Sequence, residues 1–318
     1  MGHKRLGTPP RTKGWQQVVA SLDRGGSVAR IARASSYAAE GALSRASSDP
    51  ALIRAFWLLT QLPLAARDPD FAMRLRELGL EVGSSPQLFE IIGAFSEAID
   101  AHTRTVGERS DLGEMAQLAA TESLSAIVGR SLPGLFGPTA EEVQQAISRL
   151  ATSRQFSDLA RDFFARLTRR HLTYYLSREF SNHVGPDTRL ASIAEHSAFN
   201  ADFDQHCRET ARIVKEFAGD WFGKSNHEGG ITPEKAQAFV IVSLKKKAAN
   251  CGKGGMQPEH LVLCGGLPSI AREGGKTHRL SITGSNHNVE LRISDISRTL
   301  VTNIPDVLTD LLELAAYV

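Results

Sequence analysis

A chain of 318 residues, 42% hydrophobic and 23% charged, has the composition of an ordinary globular protein and the length for a sizeable core split over two domains. A net charge of +2 excludes a wholly basic nucleic-acid coat and an acidic tail protein. No apolar run approaches the roughly eighteen residues of a membrane span. The opening MGHKRLGTPPRTKGW has no apolar segment behind its basic residues, so it does not read as a secretory signal, and Leu6 stands where N-myristoylation wants Ser or Thr. Cys207, Cys251 and Cys264 fit neither a metal-ligand spacing nor a disulfide framework, which places the chain in a reducing cytoplasm.

In chain order, residues 1–14 are a basic arm carrying Lys4, Arg5, Arg11 and Lys13, and Thr8-Pro9-Pro10 forbids a helix there. With so little apolar surface the arm either hangs in solvent, as termini commonly do, or docks on a phosphate backbone or an acidic groove. Removal of Met1 would leave the Gly2 amine as a handle for modification or capture. Residues 15–250 read as one helical domain. Asp49-Pro50, Asp68-Pro69 and Ser85-Pro86 each place a capping side chain before a proline suited to a first helical turn. Thr139 and Glu142 fit a capping box. Between these signals lie apolar-periodic runs at Leu52–Leu62, Phe71–Leu78, Leu88–Ile99 and Leu112–Val128, joined by short linkers that suit antiparallel neighbours in a bundle. Gly41 interrupts a further run at Val28–Leu43.

The stretch from Phe156 to Phe222 organises the domain, since it holds eleven of the 21 aromatic residues. Phe156, Leu159, Ala160, Phe163 and Leu167 make one apolar stripe, and Phe164, Leu172, Tyr175, Leu176 and Phe180 make another. A helix apolar on more than one face is enclosed by neighbours. Phe203, Cys207, Ala211, Val214, Phe217, Ala218 and Trp221 then hold a single helical face. Thr232-Pro233-Glu234 opens a last helix of the bundle, ending before Gly252, with Lys245, Lys246 and Lys247 in its last turns where cations suit the helix dipole.

Residues 251–256 form a glycine joint, and residues 257–318 read as a small α/β module. His260–Cys264 is a short strand, Thr277–Thr283 and Val289–Ile293 alternate as the arms of a β-hairpin, and a helix starts near Pro305 and stops uncapped at Val318. An apolar helix without a C-cap reads as truncated or as packed on something outside the chain. HLVLCGG, the hairpin and RISDISRTLVTNIPDVLTDLLELAAYV resemble the opening segment of QueC-like proteins, relatives of 7-cyano-7-deazaguanine synthase found in bacterial antiphage gene clusters. The resemblance covers residues 256–318 and implies a component of such a cluster. The ATP-using Ser-Gly-Gly-x-Asp-Ser loop of that family is not supplied, because Cys264 and Pro268 stand where Ser and Asp belong.

Candidate chemistry is sparse. Glu179, His183 and His206 are the nearest to a metal-ligand set, without a His-Glu-x-x-His pattern. Gly274-Gly275-Lys276-Thr277 lacks the upstream glycine of a Walker loop and leads into a strand. No cofactor and no catalytic residue is assigned. Three functions remain open. The first is a non-catalytic scaffold subunit of a multi-protein bacterial system of antiphage character, binding another protein through Gly2, Lys4, Arg5, Arg11, Lys13 and the last-helix residues Leu311, Leu314 and Tyr317. The second is a nucleic-acid-binding protein that meets phosphates with the arm, Arg169, Arg170, Lys245, Lys246 and Lys247. The third is the leading part of a QueC-like enzyme whose catalytic region lies beyond Val318. No membrane partner is expected.

Overall fold

The computed structural model describes residues 3–4, 12–107, 109–133, 137–185, 188, 190–253, 279–284 and 287–292, with the backbone alone at 3–4, 40, 42–46, 248–253 and the last two segments. The protein is mainly helical. Its contacts divide the chain into two units, Met1–Met256 and Gln257–Val318.

Helix α8 (Ser153–Phe180) is the spine of the first unit. It starts on Thr152, whose hydroxyl accepts from the Gln155 N–H, and it serves two cores divided along its length and not by its two stripes, since Phe164 of the second stripe joins the first core. Phe156, Leu159, Ala160, Phe163, Phe164 and Leu167 sit in the first core, with residues of α3 (Pro50–Ala65), α5 (Leu88–Val106), α6 (Asp111–Gly129), α7 (Ala140–Arg149), α10 (Arg212–His227) and α11 (Pro233–Lys253). Leu172, Tyr175 and Leu176 sit in the second core, with residues of α1 (Lys13–Asp23), α2 (Val28–Ala46) and α9 (Ile193–Thr210).

Phe56 is the hub of the first core. It stacks on Phe239 with centroids 5.0 Å apart and meets Phe156, Phe163, Phe164 and Trp221 at 5.6–6.4 Å. Such pairs add to the burial of each ring.

Several sequence expectations change. The face from Phe203 to Trp221 is not one helix. It breaks at Ala211, which ends α9 and caps α10, so Phe203 and Cys207 go to the second core while Val214 and Ala218 go to the first. Asp49 caps α3 as expected, accepting from the Ala51 and Leu52 N–H groups at 3.0 Å, and the Thr139–Glu142 capping box is formed. Asp68 does not cap. Its carboxylate is held by the Asp70 N–H at 3.0 Å and Arg74 Nε at 2.8 Å, and α4 (Phe71–Glu77) starts later. Ser85 does not cap either, because Gln87 stays extended and α5 begins at Leu88. Helix α2 runs unbroken through Gly41, and α11 continues through Gly252 to Lys253.

Two residues of the arm pair with their own chain. His3–Lys4 (β1) pairs in parallel with Arg109–Ser110 (β2). In the second unit, Arg279–Gly284 (β3) and His287–Arg292 (β4) pair antiparallel, with Gly284 opposite His287. A two-stranded ladder is not an α/β module: the strand expected at His260–Cys264 and the helix expected from Pro305 lie outside the described residues. No helix among the described residues is long and apolar enough to cross a membrane.

Helix α10 lies close on α8 because Gly219 permits it. A Cβ there would stand 2.5 Å from the Ser153 carbonyl oxygen and 2.6 Å from Ser157 Oγ. Gly93, exposed in the middle of α5, has nothing within 4 Å of the same position. Urea unfolding is therefore expected to show opposite signs for one substitution. Gly93→Ala gains about 1 kcal/mol from helix propensity, while Gly219→Ala loses about 1–3 kcal/mol by forcing the two helices apart.

Candidate partner-docking face

Helices α1 and α2 form a hairpin that is apolar on one side and basic on the other. Trp15, Val18 and Leu22 recur at helical spacing on α1 and are buried, as are Ile31, Ala32 and Ala39 on α2. Trp15 packs on Tyr175 of α8 with centroids 5.8 Å apart. The connecting turn uses Gly25 at φ +65°, a conformation that glycine adopts without strain.

The outer side carries a cleft of about 430 Å³, lined by Gln17, Ser21, Arg24, Gly26 and Arg30 among others. Arg24 and Arg30 are exposed, and neither meets a carboxylate among the described residues. Further along the same hairpin Tyr37 is 73% exposed, its ring edge 3.7 Å from where a Gly14 Cβ would be, and Lys13 is exposed beside it in sequence. Arg30, Arg33 and Tyr37 follow one another at steps of three and four on α2, so basic and aromatic side chains share one helical face.

The sequence carries a signal for this face that whole-chain charge conceals. The hairpin's residues 13–46 contain five basic residues (Lys13, Arg24, Arg30, Arg33, Arg45) against Asp23 and Glu40, a net +3. The other residues must then carry −1 to give +2 overall.

The basic residues expected to meet nucleic acid do not form a patch. Arg169 pairs with Asp204 at 3.4 Å, and Arg170 pairs with Glu122. They belong to a network in which Glu122 also holds Arg166 at 3.2 Å, Arg166 holds Asp162 at 2.5 Å, and Arg208 bridges Asp162 at 3.4 Å to Asp204 at 2.8 Å. This network ties α6, α8 and α9 together. The lysine run divides, because Lys245 and Lys246 are exposed whereas Lys247 is only 3% exposed. Lys246 Nζ lies 4.8 Å over the Phe217 ring, a cation–π contact. Lys247 Nζ donates to the Phe164 carbonyl at 3.1 Å and to Thr168 Oγ1.

Of the residues expected to bind a partner, Lys13 starts α1 and Lys4 lies in β1. Gly2, Arg5, Arg11, Leu311, Leu314 and Tyr317 lie outside the described residues. Among the described residues no group of three or more His, Cys, Asp or Glu side chains is placed to hold a metal ion. Glu179, His183 and His206 are not brought together: His183 Nδ1 lies 3.7 Å from Asp23, and His206 is near Arg33 and Lys247.

One polar group that sequence reading passed over is His171, buried where the two cores meet on α8. Neither ring nitrogen has a hydrogen-bond partner at good geometry, although the Ala39 backbone is near enough to favour the charged form. Desolvation dominates, nearby Lys247 adds repulsion, and together they push the imidazole down to about 4. His206 is lowered in the same sense by burial and by Arg33 and Lys247.

Compared with known proteins, the chain matches no family model, no curated protein and no solved structure.

The pH dependence of stability follows from His171. The folded chain keeps the ring neutral down to about pH 4, whereas the unfolded chain takes up the proton near 6.5. Stability from this group is therefore whole above 6.5 and lost as pH falls toward 4, by about 3 kcal/mol at the lower end. Chemical denaturation of the wild type and His171→Leu is expected to give a wild-type curve that falls more steeply between these limits. Parallel curves for the two proteins would remove the assignment.

Proposed function

We propose that this chain is a non-catalytic interaction subunit, a helical scaffold that docks an acidic protein segment on the basic face of the α1–α2 hairpin. The observation that carries this reading is charge segregation: residues 13–46 of the hairpin hold +3 in a chain of +2, and Arg24 and Arg30 line a cleft without a carboxylate. Elsewhere, Arg166, Arg169, Arg170 and Arg208 are neutralised within the fold. Cations left unneutralised on one face steer an oppositely charged partner and set its register. Exposed Tyr37, further along the hairpin, adds a residue type enriched in protein interfaces, as Arg is.

A nucleic-acid ligand fits the same face less well. A duplex carries a negative charge about every 1.7 Å along its axis, so it would run beyond the hairpin, where Arg166, Arg169, Arg170 and Arg208 are already paired with carboxylates. A short acidic segment ends where the basic face ends. The bacterial, antiphage and cytoplasmic setting belongs to the same proposal. Its support is the resemblance of residues 256–318 to QueC-like proteins, together with the cysteine usage. The α/β module over residues 257–318, with its last helix packed on a partner, is part of the proposal too.

Fluorescence anisotropy with a labelled oligoglutamate peptide and a labelled single-stranded oligonucleotide of equal charge tests the reading. The peptide is expected to bind, and Arg24→Glu/Arg30→Glu to weaken it by about tenfold or more while the thermal midpoint stays within a few degrees. Peptide binding unchanged in the double variant would overturn the reading. Preference for the oligonucleotide would transfer the face to nucleic acid.

A further inference from the structure

A second cleft, of about 440 Å³, lies between the end of α6, the first turns of α8 and the last turn of α9. Its acids are already matched. Asp158 is 2.5 Å from Lys215 Nζ, and Asp162 is held by Arg166 at 2.5 Å and Arg208 at 3.4 Å. Its other two cations have no such match. Arg161 reaches only the Arg208 main-chain carbonyl, with Nε and Nη2 both at 3.4 Å. Arg130 gives its Nε to the Ala126 carbonyl at 2.8 Å. Neither meets a carboxylate among the described residues. Both line the cleft, so an anion that enters it would meet two guanidinium groups.

We propose that this cleft binds a small phosphomonoester, its phosphate between Arg130 and Arg161 and its organic part against Ile127 and Ala165. The planar guanidinium fork presents paired N–H donors that match phosphate oxygens. Gln155, also in the lining, supplies an amide donor. The volume lies in the range of small-molecule sites, so the cleft has room for more than the phosphate group. The site is separate from the α1–α2 face and shares no lining residue with it.

Isothermal titration of the full chain with 5′-AMP, inorganic phosphate and glutarate tests this. Saturable AMP binding is expected, stronger than that of phosphate alone. Arg130→Ala and Arg161→Ala should each weaken it by about tenfold. Arg130 is exposed at the end of α6, so its variant keeps the test valid even where Arg161→Ala disturbs the fold. Arg24→Glu/Arg30→Glu should leave AMP binding unchanged, which separates failure of this site from failure of the docking face. No saturable binding of AMP, equal affinity in Arg130→Ala, or stronger binding of glutarate would each overturn the proposal.

Discussion

Helix α8 has to serve as a wall of two cores at once, and the arrangement of the first unit follows from that demand. Its 28 residues span about 42 Å at the usual helical rise. The apolar residues of its N-terminal half share a core with α3, α6 and α10, and those of its C-terminal half share one with α1, α2 and α9. The pairing of α9 and α10 is the clearest consequence. A single helix continuing through Ala211 would leave Phe203 or Val214 without a core, and the break lets each half go to its own.

Between the two cores α8 is polar and still buried. Thr168 and His171 lie between Leu167 of the first core and Leu172 of the second. Thr168 Oγ1 donates to the Phe164 carbonyl at 2.8 Å, and Lys247 from α11 donates to both. Burying an ammonium group is costly unless hydrogen bonds take up its protons. Those bonds fix the end of α11 against the middle of α8. The second core, α1 and α2 included, is built on the far side of that seam. Their basic face is thus carried by elements held on the same spine as the aromatic core.

Much of this was legible in the sequence. That α8 is long and enclosed follows from the spacing of Phe156, Phe163, Phe164, Tyr175 and Leu176 without a breaker between them, but its division into two cores lies along its length, with Phe164 in the first core, and not between the two stripes. The caps at Asp49 and Thr139 were legible because each side chain keeps an oxygen for the first N–H groups of its helix, Asp49 Oδ1 doing so while Oδ2 accepts from Ser110. Asp68 failed as a cap because Arg74, on the helix it should have started, takes its carboxylate. The lysine run misled for a related reason. Helical rotation sends Lys245 and Lys246 outward and Lys247 inward, and only the position of α8 decides which side of α11 is buried. Arg24 and Arg30 escaped notice because they share a cleft only when α1 and α2 fold back on each other, and Tyr37 because nothing in its spacing marks it as exposed. Counting charge by segment would have shown them.

The central claim is that the α1–α2 hairpin is where this chain meets its acidic protein partner. Hydrogen–deuterium exchange of the complex isolated from the native cell, against the chain alone, tests it most directly. The account predicts slowed exchange concentrated in residues 13–46, reversed when added salt releases the partner. Protection confined to α4, α5 and α7, with residues 13–46 unchanged, would contradict it.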